Sequence, residues 1–285
     1  MSKRDSTRQR LSDLKWHLVT RFGVDPFVRA LELMPRVQAV RILESVQLTG
    51  TLDYAASRIE MELRSVAELS RLRSCFKEPH TIDWIGREFR RGDVFYDVGA
   101  NVGAYSLVAW ASAGPGSKVY AFEPSYSTFS ALCTNLRINQ CGDSILPLQV
   151  ALSDRTQILP FNYSSVRTGS ALHSVGEPID MYGGAFVPEF VQPVMSYRMD
   201  ELIDTFRLQP PSHLKIDVDG AELLVLRGAE RALSSPELRS LLVEVQLDSE
   251  MCALIVDHVT AKGFRLRGQG DSVTPGFANF EFGRG

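Results

Sequence analysis

Apolar residues in the first fifty positions recur at helical spacing. Leu11, Leu14 and Leu18 share one face and Phe27, Leu31 and Met34 another, so two helices are expected, the second ended by Pro35. The opposite faces carry Arg and Glu, as solvated faces do. The period then changes. In Arg58-Ile59-Glu60-Met61-Glu62-Leu63-Arg64 apolar and charged residues alternate, which predicts a half-buried strand. Ser65 follows, with Glu68 three residues on; this capping-box pattern predicts a short helix over 66–74. Residues 1–50 therefore read as a helical extension and 51–92 as a strand-plus-helix lead-in packed on a core domain, 93–285.

From Asp93 onward, apolar strands alternate with helical runs. Strands are expected at 94–98, 119–122, 148–152, 194–197, 214–218 and 241–245. Helices are expected over 104–113, after Ser125 or Ser127 with Phe129, Leu132 and Leu136 on one face, and over 200–206 and 222–233. Phe264 and the run 277–282 suggest a closing hairpin. This alternation predicts an α/β, Rossmann-like fold: a mostly parallel central sheet with helices on both faces. Residues 155–193 break the rhythm with Ser, Gly, Pro and Tyr, including Gly183-Gly184 and Pro188. So long a connection inside a compact domain is usually functional, and it is expected to be a lid over an acceptor.

The 285 residues are 44% hydrophobic and 23% charged, an ordinary globular balance that argues against disorder. A net charge of −3 lacks the basic footprint of most nucleic-acid binders, so no nucleic-acid partner is expected. The four cysteines contain no C-x-x-C pair and read as reduced thiols. The charged start has no apolar run behind it, and no stretch reaches the ~18 apolar residues of a membrane span. A cytoplasmic protein is expected. The apolar residues of the first fifty positions could serve a homo-oligomer.

The strongest chemical signal is Asp97-Val98-Gly99-Ala100-Asn101-Val102-Gly103, where a strand turns into a helix. Gly99 permits a tight turn and close approach of a ligand, and Gly103 lets the helix start close to the sheet. Asp97 ends the strand at the crevice where open α/β sheets bind ligands. Glu123-Pro124 follows the second strand, with Glu123 lying 26 residues after Asp97. That is near the offset of an acid that grips ribose hydroxyls. The conjunction points to a nucleoside-bearing cofactor. Dinucleotide binders use three glycines to admit a pyrophosphate, whereas here there are two and a leading acid. That acid suits the ammonium of an amino-acid moiety, which favours S-adenosyl-L-methionine over NAD.

These stretches also resemble the FkbM family of S-adenosylmethionine-dependent methyltransferases. The resemblance is carried by 92–106, by Phe122-Glu123-Pro124 with Asn135 and Asn139, by Ala151-Leu152-Ser153-Asp154, by Lys215-Ile216-Asp217-Val218-Asp219-Gly220-Ala221-Glu222 and by Val225-Leu226-Arg227-Gly228. Asp219 is a departure, standing where the family more often has Glu. The resemblance implies a class I methyltransferase fold, S-adenosyl-L-homocysteine as product, and O-methylation of a hydroxyl on a sugar, polysaccharide or polyketide-like metabolite. It further implies Asp97, Gly99, Asn101 and Gly103 along the methionine, Glu123 and Pro124 at the ribose, Ala151, Leu152 and Ser153 at the adenine, and Asp217 beside the methyl group.

A hydroxyl is a weak nucleophile at neutral pH, so a base would help. Asp217, His173 and Glu244 are the catalytic candidates. Asp219 and Glu222 read equally well as caps of the helix that follows, and a loop histidine is more often polar surface. Glu244, inside Leu-Leu-Val-Glu-Val, must be paired or stand at the crevice, because a lone buried acid is costly. A divalent cation could bridge Asp217, Asp219 and Glu244, but no ligand spacing asks for one and no metal is assigned. An NAD-dependent oxidoreductase, a non-catalytic nucleoside-cofactor-binding module and a nucleic-acid methylase are the alternatives.

Overall fold

The structure is a computed structural model and describes residues 24–114, 116–170, 173–247, 249–272 and 275–284. The expected helix at Leu11, Leu14 and Leu18 lies outside the described residues. Two units form, 1–48 and 49–285. In the first, α1 (Asp25–Leu33) and α2 (Arg36–Ser45) are separated by Pro35, which serves as the N-cap of α2.

The second unit opens with an antiparallel hairpin, β1 (Thr49–Thr51) and β2 (Glu60–Glu62). The alternation is realised: Ile59 and Met61 are buried while Glu60 and Glu62 are not fully so. Ser65 accepts from the Glu68 N–H, and the Glu68 carboxylate takes the Ser65 N–H, which starts α3 (Val66–Arg71). The short α4 (Ser74–Lys77) and α5 (Pro79–Glu88) follow; α5 was not foreseen and buries Thr81, Trp84 and Ile85. The outer edge of β2 meets no third strand. Instead the Asn135 and Asn139 side chains accept from the backbone N–H groups of Glu62 (2.8 Å) and Glu60 (3.0 Å), and Asn139 Nδ2 donates to the Glu60 carbonyl (2.7 Å).

The core sheet has seven strands. In spatial order they are β12 (Phe264–Asp271), β13 (Phe277–Arg284), β11 (Ser240–Gln246), β10 (His213–Ile216), β3 (Val94–Val98), β4 (Lys118–Phe122) and β5 (Ile145–Leu148). Pairings from β11 through β5 are parallel, and β13 runs antiparallel between β11 and β12. Alternate residues feed two apolar layers. Tyr96, Phe122, Ile216 and Val243 face one side. There they meet α8 (Met199–Phe206), α9 (Glu222–Gly228), α10 (Glu230–Ser234) and α11 (Glu250–Thr260). Phe95, Val119, Ala121 and Leu242 face the other, covered by α5, α6 (Ala104–Ala113), α7 (Tyr126–Ile138) and the hairpin. Burial of both faces is why these strands read as continuous apolar runs.

Three sequence expectations need correction. The strand expected at 148–152 is two strands: β5 ends at Leu148, and β6 (Ala151–Leu152) leaves the core sheet. Although 164–170 and 176–189 are loop, residues 155–193 are not irregular throughout. They supply β7 (Gln157–Tyr163), β8 (Ser174–Val175) and the start of β9 (Phe190–Tyr197), which with β6 form a second sheet in the order β6-β9-β7-β8. The helix expected over 222–233 breaks at Ala229. Its first half ends on Gly228, packed so tightly on β6 that a Cβ there would lie 2.0 Å from the Ser153 carbonyl oxygen.

Candidate functional site

The core sheet reverses its winding between β3 and β10, the place where open α/β sheets bind ligands. A cleft with about 630 Å³ of open space lies there. The loops after β3 and β10 approach so closely that a Cβ on Gly99, at φ +83°, would stand 1.8 Å from the Asp217 carbonyl oxygen. Only glycine fits, and the bare backbone forms part of the cleft wall.

Glu123 leaves the end of β4 and is buried. Its Oε2 accepts from Asn101 N (3.0 Å) and its Oε1 from Ser125 N (2.9 Å). Each oxygen keeps a further acceptor position for a ligand hydroxyl. Burial raises its pKa to about 7, against the pull of the two backbone bonds. Asn101, at φ +49°, accepts from Val102 N through its side-chain oxygen and donates from Nδ2 to the Ser170 carbonyl (3.1 Å). The turn after β3 is thereby tied to the loop between β7 and β8.

The far end of the cleft is apolar, lined by Val150, Ala151, Leu152, Phe161 and Val175 with Pro124 nearby. His173 belongs to this end. Its ring packs on Phe161 and Tyr163, with centroids 5.4 and 5.1 Å away. Nδ1 accepts from Ser164 N, and Nε2 is buried with no hydrogen-bond partner among the described residues. Burial, helped by the Arg71 charge, lowers its pKa to about 4, so the ring is neutral at physiological pH.

The near end is polar. Asp217 lines the cleft just beyond β10, and Lys215 Nζ, fully buried, donates to Asp217 Oδ2 at 2.8 Å. Lys215 also lies over the Tyr105 ring, 4.8 Å from its centroid. Burial works against the ammonium charge; Asp217, Asp97 and Glu78 outweigh it and hold Lys215 above its usual pKa. Three acids crowd this one cation. Asp97 is completely buried, bonded through Oδ2 to Ser106 Oγ (2.6 Å), and its Oδ1 has no hydrogen-bond partner among the described residues. Glu78, from the start of α5, accepts from Thr81 Oγ1. Glu244 accepts from Ser272 Oγ (2.5 Å). Burial raises the pKa of all three, that of Glu244 to about 9, with Asp217 adding to the shift.

Of the residues expected at the cofactor, Gly99, Asn101, Glu123, Pro124, Ala151, Leu152 and Asp217 line one cleft. Asp97, Gly103 and Ser153 are not in its lining. Asp97 sits beneath the turn. Gly103, at φ +89°, makes room for Leu132, whose Cδ1 a Cβ would meet at 2.5 Å. The Ser153 side chain turns to Asp154 (3.3 Å). Glu244 stands behind Asp217 rather than in the lining. Glu222 takes the N–H groups of Val218 and Gly220, both at 3.1 Å, and so caps its own loop, while Asp219 lines the cleft. The sequence reading missed Lys215, Glu78 and Arg71. Lys215 was visible as the one basic residue in the strand expected at 214–218. Among the described residues no three His, Cys, Asp or Glu side chains gather as a metal site.

A carboxylate with two free acceptor positions, an apolar slot beyond it and a bare glycine turn before it form a nucleoside pocket. The acid-rich near end suits a cation. Together they define an α/β enzyme of the S-adenosylmethionine-dependent methyltransferase class. The Methyltransferase FkbM domain family matches residues 97–266, and the chain belongs to it. It is 28% identical over 193 residues to the hexuronic acid methyltransferase AglP of Haloferax volcanii, covering 68% of this chain and 72% of that protein. To the 31-O-demethyl-FK506 methyltransferase FkbM of Streptomyces tacrolimicus it is 29% identical over 210 residues, covering 67% and 80%. Among solved structures, Aeropyrum pernix fibrillarin with bound S-adenosyl-L-methionine is a distant likeness, at TM-score 0.45 and 13% identity over 72% of this chain and 73% of that one. The chain is thus a methyltransferase with S-adenosyl-L-methionine as cofactor, and the NAD-dependent alternative falls.

Proposed function

We propose that this enzyme O-methylates a hydroxyl of a sugar, polysaccharide or polyketide-like acceptor, with Asp217 as the base. The observation that carries the reading is the Asp217 carboxylate. One oxygen is fixed by Lys215, while the side chain stays 25% exposed to the cleft. The acceptor class is supported by the hexuronic acid and FK506 named for two relatives. No described helix is long and apolar enough to cross a membrane, and the proposed compartment is the cytoplasm.

The bound cofactor supplies a methyl group activated on a sulfonium sulfur. Glu123 would hold the ribose hydroxyls, and Val150, Ala151, Leu152 and Phe161 would hold the adenine. Asp217 would take the hydroxyl proton as the acceptor's new O–CH3 bond forms and the S–CH3 bond breaks, so that the proton ends on its carboxylate and S-adenosylhomocysteine leaves neutral at sulfur. Lys215 keeps that carboxylate in place. Glu244, protonated at neutral pH by its raised pKa, is no second base. His173, neutral and set among the adenine contacts, serves binding rather than proton transfer. Phe161 of β7 and Val175 of β8 line the cleft, and we assign their sheet the lid role.

Asp217→Asn tests the assignment. Turnover should fall by about 10²–10⁴-fold, the usual weight of a positioned base, while S-adenosylhomocysteine still binds. Full turnover of this variant on the true acceptor would overturn it.

A further inference from the structure

S-adenosylmethionine carries one carboxylate, at its amino-acid end. Among the described residues the cleft lining offers that group no Lys or Arg, and it contains Glu123, Asp217 and Asp219. The nearby Lys215 is committed to Asp217. A carboxylate buried there without a cation would face three like charges, which is strongly unfavourable.

One cation stands at the right place. Arg71, at the end of α3 in the lead-in, donates from Nε and Nη2 to the Gly169 carbonyl at 3.2 and 3.0 Å. The next residue, Ser170, lines the cleft and accepts from Asn101. The guanidinium therefore lies one loop-width from the turn that runs along the amino-acid end of the cofactor. Its charge is felt around that point, at Glu123, at Tyr105 in the first turn of α6 and at His173. No carboxylate of the described residues pairs with it, and a single backbone carbonyl leaves most of its donors unused. A half-buried arginine in this state is a ready partner for a planar carboxylate.

We infer that Arg71 binds the cofactor's carboxylate. The site is then built by two parts of the chain: residues 97–266, which carry the family match, and the lead-in, which lies outside it. The Gly169 contact gives the same side chain a second task. By holding the 167–170 loop over Asn101, Arg71 closes the cleft around the group it binds.

Calorimetry on the full chain tests this with two probes. S-adenosylhomocysteine carries the carboxylate; 5′-methylthioadenosine has the same nucleoside and no amino-acid end. Arg71→Ala should weaken S-adenosylhomocysteine by about tenfold to a hundredfold, the loss of one charge-assisted pair, and weaken methylthioadenosine by much less, through the loosened loop alone. Arg71→Lys should fall between Arg71→Ala and the wild type. Unchanged S-adenosylhomocysteine affinity would overturn the inference, leaving Arg71 to the acceptor. Equal weakening of both probes would also overturn it, since that is the mark of a residue that only supports the loop.

Discussion

Glu244 makes a pH-dependent contribution to stability that can be isolated. Burial, followed by the Asp217 charge, lifts its pKa from 4.5 to about 9. The folded protein holds this proton up to about pH 9, whereas the unfolded chain releases it near its ordinary pKa. Between those values the unfolded state binds fewer protons, so stability falls as pH rises, by about 1.4 kcal/mol per pH unit. Glu123 and Glu222 act in the same direction, but with pKa values of about 7 they are spent by neutral pH. His173 and His213, held near 4, titrate differently from the unfolded chain only below about pH 6.5. Asp97 and Glu78, also raised by burial, favour the protonated fold in the same direction in both proteins. The difference between wild type and Glu244→Gln, which copies the protonated side chain, therefore isolates Glu244: from pH 7 to 9 wild type should lose up to about 3 kcal/mol more than the variant. Urea unfolding followed by tryptophan fluorescence at pH 7, 8 and 9 measures both proteins. The buried thiols of Cys75 and Cys141 also favour the protonated fold at the alkaline end, but they are common to both and cancel in the difference. Parallel losses in the two proteins would refute the assignment of a buried, protonated Glu244.

Two further outcomes follow from the cleft. Gly99→Ala places a Cβ 1.8 Å from a backbone oxygen at a φ of +83°; calorimetry should find S-adenosylhomocysteine binding lost, and near-wild-type affinity would contradict the tight β3–β10 crossing. His173→Ala should weaken S-adenosylhomocysteine binding and leave the pH dependence of turnover unchanged; loss of an ionisation from the rate profile would restore the histidine as a base.

The sequence revealed those parts of the site that depend on local geometry. The turn after β3, Glu123 at the end of β4 and the Ser65–Glu68 cap each follow from residue type and spacing within one supersecondary unit. The second sheet was hidden by its prolines. Pro160 and Pro193 pair across β7 and β9. Facing each other, they need no N–H in the shared ladder, and the Pro160 carbonyl turns away to accept from Gly176 (2.8 Å). A breaker on each strand reads as a loop until the two are seen opposite one another. Arg71 and Glu78 were hidden for another reason. They lie in the lead-in, well before the glycine turn, and only tertiary packing brings Arg71 to Gly169 and Glu78 near Lys215. The helices α5 and α11 passed unnoticed because their apolar stripes are short, with α11 burying only Ile255 and Val259.

The small hairpin of β1 and β2 is too slight to persist by itself. Two asparagine amides projecting from the end of α7 imitate the backbone of a neighbouring strand and complete it. Asn135 reaches further, donating to the Val102 carbonyl at 2.9 Å, within the glycine turn. The hairpin therefore completes its backbone hydrogen bonding only where α7 is in place. Once completed, its outer edge is sealed against strand exchange with another copy.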